Sequence, residues 1–300
     1  MTAGFFHECA LYDSEDTFLA LAVPFVEDGL RAGHPTFVAC AEDNTALLRG
    51  ALGRDDAVTY LPAADQYARP ADAIASYREI CAKLVSAGAT GIHVVGDVPH
   101  PGVGAPWDWW ARYEAAVNRA YAEFPLHGLC PYDTRTTPDY VLADVASTHP
   151  NVAGQGTPNP HYGAPLSAPR PDVLEQAPPL VELVDPTPSA VRGAVLAAIA
   201  GVRLDEDSAH DAVYAASEII TNGLTHGVGP VRFRLWADAA RVVVATTDHG
   251  TGPSDPLVGL MPTEATQTAG LGLWILHRTC NYVSMGRGDD GFTVRVSVGA

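Results

Sequence analysis

The 300-residue chain has few basic residues: Lys and Arg number 18 against 35 Asp and Glu, a net charge of -17. That deficit argues against direct nucleic-acid binding and against docking on an anionic membrane, which both call for clustered cations. Both halves are acidic, so no basic patch hides in the average. A basic n-region followed by a long apolar run is missing from the N-terminus, so no signal peptide is expected. No apolar stretch reaches the ~18–20 residues of a membrane span. Cysteine is scarce and scattered, at Cys9, Cys40, Cys81, Cys130 and Cys280, with no C-x-x-C. An odd, dispersed set suits neither a disulfide framework nor a zinc ribbon, and points to a reducing, cytoplasmic setting. No G-x-x-x-x-G-K-[ST] occurs, so a P-loop is not indicated. Finally, no Lys or Arg lies between Arg241 and Arg278.

Hydrophobic residues make up 47 % of the chain, enough for a core in each half. Prolines at 150, 158, 160, 165, 169, 171, 178, 179, 186 and 188 mark the clearest boundary. They leave no room for a helix or central strand, so 151–179 is expected to be an extended linker. In 1–150, strand-like runs (5–11, 36–41, 58–61, 91–96, 126–130) alternate with helix-like runs (14–32, 44–52, 71–87, 107–122, 140–146). That alternation predicts an α/β domain with a parallel sheet covered on both faces. In 180–300 the order changes: a short strand, two helices at 189–199 and 208–225, a hairpin (231–236 and 242–247), an irregular Gly/Pro-rich stretch, a helix at 271–279 and two final strands. An α/β sandwich with a mixed sheet facing helices is expected.

Glu218, Asn222 and His226 recur every four residues in the second of those helices and share one slowly drifting face. A carboxylate, a carboxamide and an imidazole in one stripe suit a metal–phosphate site, although a solvated face would show the same polarity. Asn222 offers a neutral oxygen to Mg²⁺, a hard cation that prefers oxygen ligands. Glu218 can act as a general base. Asp248 ends an apolar strand-like run, and Gly250 and Gly252 after it permit close backbone approach and positive φ; D-x-G-x-G alone also suits an ordinary turn. Gly270-Leu271-Gly272-Leu273 opens a helix, where free amides and the helix dipole favour anions.

The order E-x-x-x-N-x-x-x-H, D-x-G-x-G, G-x-G-L resembles the ATP-binding boxes of the GHKL ATPase superfamily, and the short domain looks most like the anti-sigma factor serine kinases. The resemblance covers about 180–300. It implies a Mg²⁺- and ATP-binding sandwich in which Glu218 activates the attacking hydroxyl, Asn222 holds Mg²⁺, His226 lies beside phosphates or ribose, Asp248 reads adenine and Thr293 assists. Residues 253–269 resemble a nucleotide lid. The implied partners are a sigma factor and a STAS-type antagonist phosphorylated on Ser or Thr, and family members are often homodimers. One departure stands out: the Arg that commonly precedes the G-x-G is replaced by Thr268-Ala269. Phosphoryl transfer leans on positive charge, and losing such an Arg costs ~10³-fold or more. A non-catalytic ATP-dependent interaction switch, or a scaffold that binds no nucleotide, therefore stays open beside the kinase. A sensor histidine kinase does not fit, because His210 lies on the same helix as Glu218.

The N-terminal half resembles the MEDS sensory domain (methanogen/methylotroph DcmR sensory type). The matching features are Phe6–Glu8, the following YDSEDTFLALAVPFVEDGLRAG, W-x-x-Y-E at Trp110–Glu114 with Asn118, and LCPYD at Leu129–Asp133. It implies sensing of a small molecule or of cell state. His7, Asp97, Glu114, Cys130, Tyr132 and Asp133 are the candidate pocket residues, since ligands of parallel sheets sit at the strands' carboxyl ends. Cys130 as a small buried hydrophobe and Asp133 as a helix cap are the plainer alternatives. His7, Cys130 and Asp133 are also metal-ligating types, but no local spacing supports such a site. Trp107, Trp109, Trp110 and Tyr113 read as core.

Overall fold

The computed structural model describes residues 4–53, 57–101, 105–155, 158–262 and 271–299. The chain divides into two compact units, Met1–Ser167 and Ala168–Ala300. Among the described residues no helix is long and apolar enough to cross a membrane.

The first unit runs β1 (Phe6–Tyr12), α1 (Glu15–Arg31), β2 (Thr36–Ala39), α2 (Glu42–Leu52), β3 (Val58–Tyr60), α3 (Ala63–Gln66), α4 (Pro70–Ser86), β4 (Ile92–Gly96), α5 (Asp108–Ala120), β5 (Leu126–Asp133), α6 (Asp139–Thr148) and β6 (Asn151–Val152). The strands form one sheet in the order β3-β2-β4-β5-β1-β6, every pairing parallel. Central β4 is buried along its whole length, as a strand covered on both faces requires. Ser14 starts α1 with a capping box to Thr17, and Phe18, Ala22 and Val26 bury against Val38, Leu48, Val95 and Leu129. Connections leave β2 toward β3 and β4 toward β5, in opposite directions, so the crevice for ligands opens between β2 and β4.

Two expectations are corrected here. Strand β5 does not stop at Cys130; β1 pairs with it through Tyr12 and Asp133, so Cys130, Tyr132 and Asp133 lie within the strand. The proline-rich stretch is no loose tether. Asn151–Val152 adds β6 beside β1, and Asn159 donates to the carbonyls of Ala146 (2.6 Å) and His149 (2.7 Å).

The second unit runs β7 (Val181–Val184), α7 (Pro188–Ile199), α8 (Glu206–His226), β8 (Arg232–Ala237), β9 (Arg241–Asp248), α9 (Leu271–Thr279), β10 (Tyr282–Gly288) and β11 (Gly291–Gly299). The sheet, ordered β10-β11-β9-β8-β7, is antiparallel at every pairing, not mixed as expected. Each of its neighbours is joined by a hairpin or by a connection that reverses direction. Asp205 caps α8, with Glu206 and Asp207 in the first turn suiting the helix dipole. Ala212, Ala215, Ala216, Ile219, Ile220 and Gly223 form the buried face of α8. A Cβ at Gly223 would sit 2.9 Å from both Thr246 and Val231, so glycine lets the helix press against the sheet. On the opposite face the turn Val173–Gln176 lays Leu174 on Trp236, Val243 and Ala245. There Glu175 pairs with buried Arg295, and Asp172 with Arg241 at 3.0 Å.

Candidate functional site

Helix α8 projects Glu218 and Asn222 from the flank of its buried face, and both side chains are half-buried. Asn222 Nδ2 donates to Glu218 Oε1 at 3.1 Å. That bond commits the amide nitrogen and leaves Oδ1 as the atom for a cation. The Glu218 carboxylate lies against Gly272 at the start of α9: a Cβ there would fall 1.8 Å from Oε1. Glu218 and Gly272, 54 residues apart, thus bring two boxes together, and only glycine fits at the contact. Gly272 lies in the first turn of α9, where backbone amides and the helix dipole favour negative charge. Gly270 lies outside the described residues, as do Thr268 and Ala269. Leu271 is exposed and Leu273 half-buried.

Asp248, buried at the end of β9, is held by backbone donors. Its Oδ1 accepts from Gly250 N at 2.6 Å and Val228 N at 3.2 Å. A Cβ at Gly227 would come within 2.5 Å of the Asp248 carboxyl carbon, so the residue after α8 must be small. Gly252 has φ +74° and carries the Phe292 ring directly over it. His226 is exposed in the last turn of α8. Of the stretch expected to be a lid, 253–262 is described and 263–269 lies outside the described residues; Gly259 (φ +79°) packs on His277 and Leu273, and Leu257 and Leu260 are buried.

Thr293 is placed away from this site. It stands opposite Thr247, and their hydroxyls are 2.9 Å apart. Strand alternation puts both on the face of Val243 and Ala245, away from α8, while Asp248 pairs with Phe292. Phe292 and Gly227 are the site neighbours that sequence reading missed. Arg287 donates to the Gly250 carbonyl at 2.7 Å and so serves the Asp248 end.

In the first unit the candidate pocket residues separate into two groups. Asp97 and Asp133 line a cleft of about 920 Å³ at the β2/β4 crevice, with Tyr12, Asn44, His100 and Arg135. Asp97 accepts from Ala41 N (2.8 Å) and Asn44 Nδ2 (2.9 Å) at the start of α2, yet burial pushes its carboxyl up to about 6. Asp133 is gripped by the Arg135 guanidinium, which lowers its carboxyl below the usual range. His7, Glu114, Cys130 and Tyr132 instead form an interior cluster. Tyr132 donates to Glu114 Oε1 at 2.6 Å. Burial alone would raise the Glu114 carboxyl, but His149, His7 and the Tyr132 hydroxyl together hold it below its ordinary range. Asp133 is not a member of this cluster; His149, which no local motif announces, is.

A helix-backed antiparallel sheet, with a carboxylate–carboxamide pair set against the glycine of a following helix, belongs to the ATP-binding α/β sandwiches. Residues 185–298 match the family model described as Histidine kinase-like ATPase domain. Residues 6–150 match MEDS, the MEthanogen/methylotroph, DcmR Sensory domain. The chain therefore carries an N-terminal MEDS domain and a C-terminal histidine kinase-like ATPase domain, the make-up of an ATP-binding regulatory protein. No curated protein matches the chain. Among solved structures, the cytoplasmic domain of EssC is similar over 55 % of this chain and 34 % of that one, at 10 % identity and a TM-score of 0.32. The chain thus spans about a third of that protein, and the likeness is too slight to carry a fold or a function.

Proposed function

We propose that the C-terminal domain binds Mg-ATP and acts as an anti-sigma regulatory kinase. It holds a sigma factor or a STAS-type antagonist and phosphorylates Ser or Thr of the antagonist, under control of the MEDS domain. The observation that carries this reading is the corner where Glu218, Asn222 and Gly272 meet. Asn222 Oδ1 would hold Mg²⁺, the α9 amides the phosphates, and the Asp248 end the base. Bound Mg-ATP supplies the phosphoryl group. Glu218 takes the proton of the acceptor hydroxyl, which makes that oxygen nucleophilic.

Calorimetric titration of the full chain with ATP, with and without Mg²⁺ and beside Asn222→Ala, tests the site. Mg-dependent binding lost in the variant supports it; no binding by the unaltered chain overturns it. Transfer of γ-phosphate label to an antagonist then tests the kinase. A second reading, a non-catalytic ATP-dependent switch, is favoured by one feature. Residues 242–277 contain no Lys or Arg, and Arg287 is engaged at Gly250. Tight Mg-ATP binding without label transfer would select that reading.

A further inference from the structure

His7 on β1, Glu114 on α5, Cys130 on β5 and His149 after α6 each turn one ligand atom toward a common point, the four atoms lying within 4.8 Å of one another. We infer that this cluster is a binding site for a divalent transition-metal ion of the zinc class, independent of the ATP site. His7 Nε2 is 3.4 Å from Cys130 Sγ and 3.3 Å from Glu114 Oε2, and His149 Nε2 is 3.7 Å from the same oxygen. His7 is 2 % exposed, and Glu114 and His149 are 0 % exposed.

The surrounding hydrogen bonds fix which atoms point inward. Asn118 Nδ2 donates to the carbonyls of Glu114 (3.0 Å) and Thr148 (2.7 Å), so its Oδ1, 3.1 Å from His7 Nδ1, accepts. His7 therefore carries its proton on Nδ1 and presents the Nε2 lone pair to the cluster. His149 Nδ1 donates to the Val145 carbonyl at 2.9 Å, so its Nε2 is a lone pair as well. That lone pair confronts a carboxylate oxygen. Both Glu114 Oε2 and His149 Nε2 are buried with no hydrogen-bond partner among the described residues. A metal cation satisfies all four groups at once.

Ligating histidines typically anchor their other nitrogen on a carbonyl or carboxamide, as both do here. Two imidazoles, a carboxylate and a thiol are a mixed N/O/S set, suited to Zn²⁺ and its neighbours and ill-suited to Mg²⁺ or Ca²⁺. Binding replaces the Cys130 S–H with an S–metal bond, and the proton leaves to solvent. A cavity of about 30 Å³, bordered by His7, Glu114 and Cys130 and by the rings of Tyr67 and Tyr113, adjoins the cluster. It has room for one water-sized ligand beside the ion.

The test is metal analysis of the full chain made in zinc-supplemented medium, and absorption spectroscopy of the same chain made with Co²⁺. About one ion per chain should survive desalting, as for a preformed four-ligand site. The cobalt form should show a sulfur-to-metal charge-transfer band that Cys130→Ser abolishes and Cys280→Ser, in the other unit, retains. Asn118→Ala should weaken binding ~10–100-fold by freeing the His7 ring. A folded, unaltered chain with no bound metal overturns the proposal, as does a thiolate band that persists in Cys130→Ser. If Cys130→Ser fails to fold, the metal content and band of the unaltered chain decide alone.

Discussion

The two units treat their polar chemistry in opposite ways. The MEDS domain sinks it: Glu114, His149 and His7 lie in the interior, drawn from segments up to 142 residues apart. The ATPase domain keeps Glu218 and Asn222 half-exposed at a helix flank, one turn apart, and uses glycines at 272, 227 and 252 to let neighbours close in. An open site can admit and release a large charged ligand. A buried one holds a small ion or molecule and reports it through packing. The same physical economy that makes one site local in sequence makes the other invisible there.

The sharpest break in this comparison is Glu218→Ala. It should leave ATP affinity nearly intact while label transfer to an antagonist falls ~10²–10⁴-fold, the usual share of a general base; transfer at the original rate removes Glu218 from that role. Next comes Glu175→Ala, which removes the carboxylate from the buried Arg295 guanidinium, leaving it the Arg170 carbonyl and the Ser284 hydroxyl, and should cost the second unit ~3–5 kcal/mol in denaturant unfolding. A loss under ~1 kcal/mol would mean that the Val173–Gln176 turn is only draped on the sheet.

Acid should separate the units. Burial, aided by His127 and His34, lowers His93 to about 4, and burial lowers His149 to about 3. The unfolded chain then binds more protons between about 6.5 and 4, so their stability is whole above pH 6.5 and lost as pH falls, on the order of a few kcal/mol. Asp97, raised to about 6, works the other way: its folded form holds the proton, so it adds stability as pH falls from about 6 to 4. Asp97→Asn should therefore steepen the acid loss of the first unit in pH-dependent calorimetry. A shallower profile would contradict the burial of that carboxyl. The smallest expected effect is at Thr293→Val, which should leave ATP affinity within about twofold, as for a position away from a site. A tenfold loss would return Thr293 to the base end.

Element type was readable along most of the chain, because alternating strand and helix patterns, caps and glycine breaks are local. Ser14, Asp205 and Thr187 each start a helix where the sequence offers a side-chain acceptor. What misled was information that only pairing supplies. Leu126–Cys130 reads as a complete apolar strand, yet β1 extends it to Asp133. Thr293 fits an adenine reader by its place after Gly291, but register sets it against Thr247 and puts Phe292 beside Asp248. A one-residue offset in a strand moves a side chain to the other face.

By itself, then, the sequence determined two α/β units, the helical stripe of Glu218 and Asn222, and the glycines that must precede or open a helix, since each depends on neighbours within a few residues. Tertiary structure alone decided that Gly272 seats the Glu218 carboxylate, that the proline-rich segment adds β6 to the first sheet and lays Leu174 on the second, and that His149 joins His7, Glu114 and Cys130. Those contacts close over tens to more than a hundred residues, and their partners are chosen by sheet register and helix packing, which no short stretch of chain encodes.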